Sequence, residues 1–236
     1  MRLYNTIKNK AYWLVDQINI EGKSEEDYKV EFTKLLKEYE EQKIEYLSLL
    51  MEEHFENWLL SKGFRKISVI HEYTKSLEEE QLIESELTFH ALSEGLMTDK
   101  DFADAYELCR SGSANKNIPQ LIEKIMAALS QELGENWRSH CYYFLKDNEL
   151  VGISIPHMEM GTTDEGRMFY FGIVPNKRGF GLGAEIHKIT LYLMKQMNAK
   201  TYVGSTDESN KHMINIFKKN GCVIRNKKGI YRIDKD

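Results

Sequence analysis

The part of the sequence with the clearest chemical potential is a glycine-rich turn between a predicted strand and a predicted helix. It runs from Pro175 to Ala184 and holds three glycines within five residues. Glycine permits positive φ and leaves backbone amides uncovered, and amides at the start of a helix carry partial positive charge that attracts anions. Lys177 and Arg178 add formal charge beside them. The turn therefore predicts a binding site for a pyrophosphate.

Two other phosphate-binding patterns fit this turn less well. Gly179-x-Gly181-x-x-Ala184 matches the dinucleotide fingerprint, with Asp207 as a ribose-binding acid. A dinucleotide fold needs several more strand–helix units than the roughly 50 residues that follow the turn provide. A Walker A loop ends in Gly-Lys-Ser or Gly-Lys-Thr, whereas this turn continues as Gly-Ala-Glu.

The charge of the chain is unevenly distributed around this turn. The net charge is −5, yet residues 167–236 hold 14 Lys+Arg against 5 Asp+Glu, a balance of +9, which leaves −14 for residues 1–166. A basic C-terminal third predicts an anionic partner, and nucleic acid, a nucleotide cofactor and an acidic protein all fit. Scattered solubilising lysines are the plainer alternative.

The overall composition is that of an ordinary globular protein. The chain has 236 residues, of which 42% are hydrophobic and 29% charged, and this excludes the disordered class. No apolar run approaches the roughly 18 residues of a membrane span, and the N-terminus lacks the apolar region of a signal peptide. Cys109, Cys141 and Cys222 are too far apart for a zinc framework, so we expect reduced thiols and a cytoplasmic location.

Hydrophobic periodicity predicts an N-terminal helical part over residues 1–62 and a mixed α+β domain over residues 63–236. The first part is predicted to be a hairpin of two helices, Leu3–Ile20 and Ser24–Leu60, with a near capping box at Ser24 and a stop at Gly63. Downstream we predict strands at 64–73, 140–145, 150–155, 167–174 and 201–205, two short closing strands, and helices at 77–133 (broken around 111–115), 183–197 and 210–220. No internal repeat is visible in the sequence.

The predicted long helix also bears on the oligomeric state. Residues 24–60 contain 11 Asp+Glu against 4 Lys, and their apolar residues follow one helical face. A stripe of about 35 residues would be about 50 Å long, more than a monomer leaves uncovered. We expect the hairpin to pack on its own domain and any overhang to form a homodimer contact. A fully intramolecular cap is the alternative.

Two motifs at the right separation resemble those of the GNAT superfamily of acyl-CoA N-acyltransferases. Arg178-x-x-Gly181-x-Gly183 is similar to the family signature R/Q-x-x-G-x-G/A. The segment from Asn210 to Cys222 is similar to the next family helix, N-x-x-a-x-x-x-Y-x-k-x-G-F. The resemblance covers roughly residues 64–233. It implies a mixed, mostly antiparallel central sheet flanked by helices.

The resemblance also implies a cosubstrate, acetyl-CoA. The residues themselves offer no metal site, since a lone histidine is not a ligand set. The pyrophosphate of acetyl-CoA would be held by the main-chain amides of Arg178, Gly179, Phe180, Gly181, Leu182 and Gly183. Its pantetheine arm would run along the backbone of Phe171, Ile173 and Val174, beside a bulge whose amide stabilises the oxyanion of the tetrahedral intermediate, an effect of roughly 3 kcal/mol per donor. Asn210 would anchor the arm through its side-chain amide.

The main departure from the family pattern is Phe217. The family usually has a tyrosine there that protonates the departing thiolate, and phenylalanine has no proton to donate. Loss of the acid slows transfer without preventing it, because a thiolate is a fairly good leaving group. We interpret Phe217 as a packing residue beside the cofactor. The candidate substitutes for the acid, none favoured by spacing, are Ser205, Thr206, Ser209, Tyr170 and Tyr202.

Amine acetylation also needs a general base to take a proton from the acceptor ammonium. His157 and Glu159, just beyond a predicted strand, have suitable chemistry, as do Asp164 and Glu165 in the following loop. The i, i+2 spacing of His157 and Glu159 places both on one face if the strand continues. Exposed loop positions are the plainer interpretation.

The resulting hypothesis is an N-acetyltransferase that moves an acetyl group from acetyl-CoA to a primary amine by direct transfer in a ternary complex. A non-catalytic acyl-CoA-binding or regulatory module is the alternative, since Phe217 replaces the usual acid. A nucleic-acid binder is disfavoured because no recognised motif accompanies the basic residues. The acceptor is expected to be a small-molecule or peptide amine, with no nucleic-acid or membrane partner.

Overall fold

The computed structural model describes residues 2–113 and 121–235, which fold as two compact units. The first unit comprises Met1–His71 and Asn226–Asp236, and the second comprises Glu72–Arg225. Ten strands and six helices are found in the described residues, and most neighbouring strands are antiparallel. The predicted mixed α+β class, with a mostly antiparallel sheet, is therefore confirmed.

The first unit alternates strands and helices around an aromatic core. Its strands lie in the order β1-β2-β3-β10-β4, with β2 and β3 parallel and β3 antiparallel to β10. Tyr4, Phe32, Leu47 and Tyr231 are among the residues buried in this core. The elements are β1 (Tyr4–Lys8), β2 (Tyr12–Gln17), α1 (Glu25–Glu41), β3 (Tyr46–Glu52), α2 (Glu56–Ser61), β4 (Arg65–Ser76) and β10 (Val223–Asp234), the last two of which extend into the second unit.

The second unit carries helices on both faces of its strands. The strand order is β4-β9-β8-β7-β6-β5, and β8 and β9 are parallel. On β7, Ile153 and Ile155 pack in one cluster with residues of α3 and α4, while the hydroxyl of Ser154 between them is hydrogen-bonded to that of Thr190 on α5. The elements are β5 (Thr88–Ala91), α3 (Asp99–Arg110), α4 (Ile122–Leu133), β6 (Tyr142–Lys146), β7 (Glu149–Met158), β8 (Glu165–Ile173), α5 (Leu182–Gln196), β9 (Thr201–Asp207) and α6 (Lys211–Lys219).

The predicted N-terminal helical hairpin is wrong. Residues 4–17 form a two-stranded antiparallel hairpin, and the helix that begins after Ser24 ends at Glu41. From Tyr46 to Glu52 every second residue is buried, which is the period of a strand. The apolar positions of this stretch fit the period of a helix as well as that of a strand. Pairing with β2 and β10 selects the strand.

Three further details follow from this correction. The 35-residue apolar stripe does not exist, so that argument for a homodimer no longer holds, and homodimerisation stays an untested prediction. The capping box at Ser24 and Asp27 is confirmed. Within the stretch predicted as helical over 77–133, the structure has strand β5 before α3 and α4, and the two predicted closing strands are one long strand, β10. Ala114 and Asn115 of the predicted break lie outside the described residues.

Candidate active site

The glycine-rich turn leaves the first amides of α5 open. Gly181 is the N-cap residue of α5, and no side chain caps the helix. Gly179 and Gly181 have φ of +86° and +82°, a region that residues with a Cβ rarely adopt. A Cβ placed on either glycine would meet nothing within 4 Å. The glycines are therefore needed for backbone shape, and the first amides of α5, which no side chain caps, are suited to bind an anion.

The two basic side chains of the turn are already engaged. The Arg178 guanidinium donates to the carbonyl oxygens of Cys109, Ser111 and Gly112 at 2.8–2.9 Å, and to that of Ile173 at 3.0 Å. Lys177 pairs with Glu149. The Arg178 side chain thus satisfies carbonyls at and just after the C-terminal end of α3. The Arg178 main-chain amide donates to the Pro175 carbonyl at 3.3 Å, so the predicted anion site depends on the amides that follow it.

The parallel strands β8 and β9 pair over a short stretch only. In the described structure the pairing covers Glu165–Gly166 with Thr201–Tyr202, although β8 continues to Ile173 and β9 to Asp207. We call the unpaired stretches, residues 167–173 of β8 and 203–207 of β9, the open seam. Their facing backbone groups have no partners in this strand pair, so an extended ligand can pair with them.

A β-bulge interrupts β8 beside the open seam. In the antiparallel pairing with β7, Ile155 lies opposite Tyr170 and Pro156 lies opposite Met168, so Phe169 is an extra residue. Phe169 and Tyr170 consequently both pack toward the cluster of α3 and α4, whereas Phe171 and Ile173 pack against residues of α5. The bulge expected from the resemblance is present. Val174, predicted with Phe171 and Ile173 to line the arm, is buried just after β8.

Helix α6 holds the two residues predicted to lie near the cofactor. Asn210 is its N-cap residue, and its Oδ1 accepts from the amide of Met213 at 3.2 Å. Its Nδ2 is therefore the side-chain atom that can donate to a ligand. Phe217 is 1% exposed and packs against the rings of Tyr73 and His187 at 4.8 and 5.5 Å.

The hydroxyl groups predicted as substitute acids are spread over different environments. Ser205 is exposed, and Ser209 donates to Asp207 in the turn after β9. Tyr170 stacks on Tyr106 of α3, with ring centroids 4.1 Å apart, and burial raises its pKa. Thr206 is 9% exposed. Tyr170 packs in a different hydrophobic cluster from Phe217.

The predicted base residues are brought together. His157 Nε2 lies 3.7 Å from Glu159 Oε2, and Arg167 Nε lies 3.4 Å from the same oxygen. Burial lowers the pKa of His157, with the charge of Glu159 opposing the shift, so His157 is neutral at pH 7 and able to accept a proton. Glu165 is engaged with Arg167 and Arg225 instead. The backbone carbonyl of Asp164 accepts from the amides of Lys200 and Thr201.

A buried hydrogen-bonded chain lies beside Phe217, and sequence reasoning missed it. Asn220 Nδ2 lies 2.9 Å from His187 Nδ1, and His187 Nε2 lies 3.3 Å from Tyr202 Oη. His187 and Tyr202 are 0% and 1% exposed, and burial lowers the pKa of His187 to about 3. Two features of the sequence could have indicated this hydrogen-bonded series: a histidine on the apolar face of α5, and the Tyr-x-Gly spacing of β9.

Metal-binding clusters and membrane-spanning helices are absent from the described residues. Residues 2–113 and 121–235 contain no group of three or more His, Cys, Asp or Glu side chains placed to hold a metal ion. No helix within those ranges combines the length and apolar character needed to cross a bilayer.

Comparison with protein families matches residues 104–222 to the acetyltransferase (GNAT) family. The match spans 119 of the 236 residues and includes the glycine-rich turn, the bulged strand β8 and helix α6. No curated protein matches the sequence.

Several solved structures share the fold at low sequence identity. A GCN5-related N-acetyltransferase from Sphaerobacter thermophilus has a TM-score of 0.70 at 12% identity, over 98% of this chain and 76% of that one. A GNAT-family acetyltransferase from Colwellia psychrerythraea has a TM-score of 0.66 at 11% identity, over 99% and 81%. A tandem GNAT protein from the clavulanic acid biosynthesis pathway has a TM-score of 0.62 at 12% identity, over 98% of this chain and 78% of that one. At such identities the likeness concerns the fold alone.

Proposed function

Because the chain belongs to the GNAT family of acetyltransferases, we propose that it transfers an acetyl group from acetyl-CoA directly to a primary amine within a ternary complex. One observation carries the proposal: an uncapped, glycine-rich helix N-terminus follows a bulged strand whose parallel neighbour pairs with it only at its start. This combination offers an anion site and a slot for an extended arm in the same unit.

Acetyl-CoA supplies an activated thioester, and the chain supplies the groups that hold it. The amides from Gly179 to Gly183 are proposed to offer hydrogen bonds and partial positive charge to the pyrophosphate. The amide of Arg178, which the sequence pattern also predicted for this role, donates to the Pro175 carbonyl instead. The backbone of Phe171, Ile173 and Val174 borders the open seam and is proposed to pair with the pantetheine arm. Asn210 Nδ2 is proposed to donate to the same arm, since Oδ1 already caps α6.

The remaining proposed roles concern charge and protons. An amide at the Phe169 bulge is proposed to stabilise the thioester oxygen as it gains negative charge, worth roughly 3 kcal/mol for a well-placed donor. His157, neutral and 3.7 Å from Glu159, is proposed with that carboxylate to take the proton from the acceptor ammonium.

The acceptor is proposed to be a small-molecule or peptide amine, without nucleic-acid or membrane partners. A cytoplasmic location is also a proposal, motivated by three buried cysteines that form no disulfide.

The direct test measures acetyl-CoA binding and thiol release with a panel of amines. We expect acetyl-CoA and CoA to raise the melting temperature, and thiol release to depend on the amine. Release before any amine is added, in a burst of one equivalent, would contradict direct transfer. Saturable binding without release for every amine would favour the non-catalytic module, and stronger stabilisation by NAD than by CoA would contradict the ligand.

A further inference from the structure

We propose that Tyr202 is the proton donor for the leaving thiolate, in place of the tyrosine that the family usually has at the position of Phe217. The assignment rests on the proposed function and adds a catalytic residue to it. Three observations support it: the position of the Tyr202 hydroxyl, the direction of its hydrogen, and the hydrogen bonds that fix that direction.

The Tyr202 hydroxyl lies over Gly204, beside the Phe217 ring. A Cβ placed on Gly204 would be 2.1 Å from Tyr202 Oη and 3.1 Å from Phe217 Cε1. The side chain therefore extends along β9 from the last paired residue into the open seam, and the missing Cβ of Gly204 makes room for it. The hydroxyl and the edge of the Phe217 ring share one side of the strand.

The direction of the Tyr202 hydrogen follows from a chain of donors. Asn220 Nδ2 lies 2.9 Å from the Ala184 carbonyl oxygen, which only accepts, so the amide nitrogen must face it. The same nitrogen donates to His187 Nδ1 at 2.9 Å. A neutral imidazole that accepts at Nδ1 carries its hydrogen on Nε2, and that hydrogen is donated to Tyr202 Oη. The hydroxyl thus accepts from His187 and keeps its own hydrogen for another partner.

The partner of that hydrogen lies across the strand pair. Met168 Sδ on β8 is 4.0 Å from Tyr202 Oη, and a thioether sulfur is a weak acceptor. The hydrogen therefore points from β9 toward β8, where the two strands stop pairing. A thiolate sulfur is a far stronger acceptor than a thioether, so a ligand thiolate in the open seam would displace Met168 as the partner.

The proton balance of the step closes with the proposed acid, the proposed base and solvent. As the amine nitrogen bonds to the carbonyl carbon and the carbon–sulfur bond breaks, its electron pair moves to sulfur. Tyr202 donates its hydroxyl proton to that sulfur, and His187 stabilises the phenolate through the Nε2 hydrogen bond. The proton that the acceptor nitrogen loses to the base restores the phenol through solvent. The products are an amide and a thiol.

The other hydroxyls fit this role less well. Ser205 points to the opposite face of β9 from Tyr202, because neighbouring strand residues alternate. Tyr170 packs in the cluster of α3 and α4, whereas Phe217 and Tyr202 share the cluster that includes α6. Tyr202 combines nearness to Phe217 with a donor that fixes its orientation.

The test compares Tyr202→Phe with a matched control, Tyr231→Phe. Tyr231 lies over Gly229 in the first unit in the same manner, 2.5 Å from a Cβ placed there, so both variants lose a hydroxyl and keep the ring. Tyr202→Phe is expected to bind CoA as the wild type does and to lower kcat about 100-fold, the low end for general acids. Adding Phe217→Tyr to it is expected to restore most of that loss, and Tyr231→Phe is expected to leave kcat unchanged.

A second readout does not depend on turnover. The pKa of the thiol of bound CoA, followed by the ultraviolet absorbance of the thiolate, is expected to be lower in the wild type than in free CoA and to rise in Tyr202→Phe. If Tyr202→Phe has the kcat of the wild type and leaves the thiol pKa unchanged, the assignment of Tyr202 is overturned and the proposed function is not affected. A loss of kcat that Phe217→Tyr does not restore, with the thiol pKa unchanged, would assign Tyr202 a purely structural role.

The same experiment separates the assignment from the proposed function. If the wild type binds CoA and releases thiol, only the behaviour of Tyr202→Phe decides the assignment. If the wild type does not bind CoA, the proposed function fails and the assignment fails with it. If Tyr202→Phe does not fold, the wild-type measurement decides, and a bound thiol with a pKa no lower than that of free CoA would overturn the proposal.

Discussion

The two units of this protein contain helices and strands in the same order, but a side chain caps the N-terminus of the first helix of this series in the first unit only. In the first unit β2, α1, β3 and α2 follow one another and lead into β4. In the second unit β8, α5, β9 and α6 follow in the same order and lead into β10, most of which belongs to the first unit. In both, the first two strands of the series are parallel, and an antiparallel hairpin partner precedes them.

The helix N-termini show the first difference. Ser24 caps α1 and Asp27 completes a capping box, while three acidic residues occupy the first turn. These carboxylates already compensate the positive end of the helix dipole and would repel a phosphate. At α5 a glycine stands in the N-cap position and no side chain fills the space. A side chain caps the N-terminus of α1, whereas no side chain caps that of α5, where the pyrophosphate is proposed to bind.

The strands show the second difference. β2 and β3 pair over five consecutive residues, from Tyr12 with Tyr46 to Asp16 with Leu50. β8 and β9 pair over two. The same topology therefore gives a closed sheet in the first unit and an open seam in the second. The proposed cosubstrate site lies at the open seam.

The largest expected effect comes from a pair of glycine substitutions. Gly22 in the first unit and Gly181 in the second have φ of +80° and +82°, and a Cβ placed on either would have no other atom within 4 Å. Valine at either position strains the backbone similarly. Acetyl-CoA at 100 times its Kd stabilises a binding protein by about 2.7 kcal/mol. We expect Gly181→Val to lose this stabilisation and Gly22→Val to keep it, measured as melting temperature with and without acetyl-CoA. Equal shifts in both variants would remove the turn from the binding site.

The next effect concerns a buried histidine that distinguishes the second unit. No histidine is fully buried among the described residues of the first unit, whereas His187 is 0% exposed and burial lowers its pKa to about 3. The unfolded chain binds a proton near pH 6.5 that the folded chain does not, so stability is complete above pH 6.5 and falls as the pH decreases toward 3.

Between pH 6.5 and 5 this group should lower the free energy of unfolding by about 2 kcal/mol. His187→Gln should lack this contribution. Denaturant unfolding at several pH values gives the free energy of unfolding as a function of pH, and the slope of this plot should be smaller for the variant than for the wild type. Parallel slopes for the wild type and the variant would show that His187 is not held neutral in the folded protein.

The smallest effect separates capping from ligand binding. Ser24 and Asn210 each cap a helix through a side-chain oxygen, at 3.2 Å from the amide three residues on. Ser24→Ala and Asn210→Ala should each cost about 1 kcal/mol of stability. Only Asn210→Ala is expected also to weaken CoA binding, because Nδ2 of that residue is proposed to reach the ligand. Calorimetric titration with CoA checks this, and unchanged affinity in Asn210→Ala would restrict that residue to capping.

Much of the second unit was predictable because its signals are local and unambiguous. Glycines on both sides of Phe180 predict an open helix start, and the hairpin of β6 and β7 shows clear alternation around a polar turn. The first unit was mispredicted because the apolar residues near Tyr46 fit both a helix and a strand. Pairing with strands far away in sequence decides between them, and propensity does not. The repeated element order is invisible in the sequence because it is a repeat of topology and not of residues.

By itself, the sequence determined the features that need only a few neighbouring residues: the cap at Ser24, the positive-φ turn around Gly181, and the absence of a hydroxyl at position 217. Tertiary structure alone decided the features that join distant segments. It placed the Arg178 guanidinium on carbonyls 66–69 residues earlier, and it aligned Asn220, His187 and Tyr202, which lie on three different elements. The physical reason is that caps and turns are satisfied within one turn of chain. The direction of a buried hydroxyl depends on donors and acceptors that only packing brings into contact.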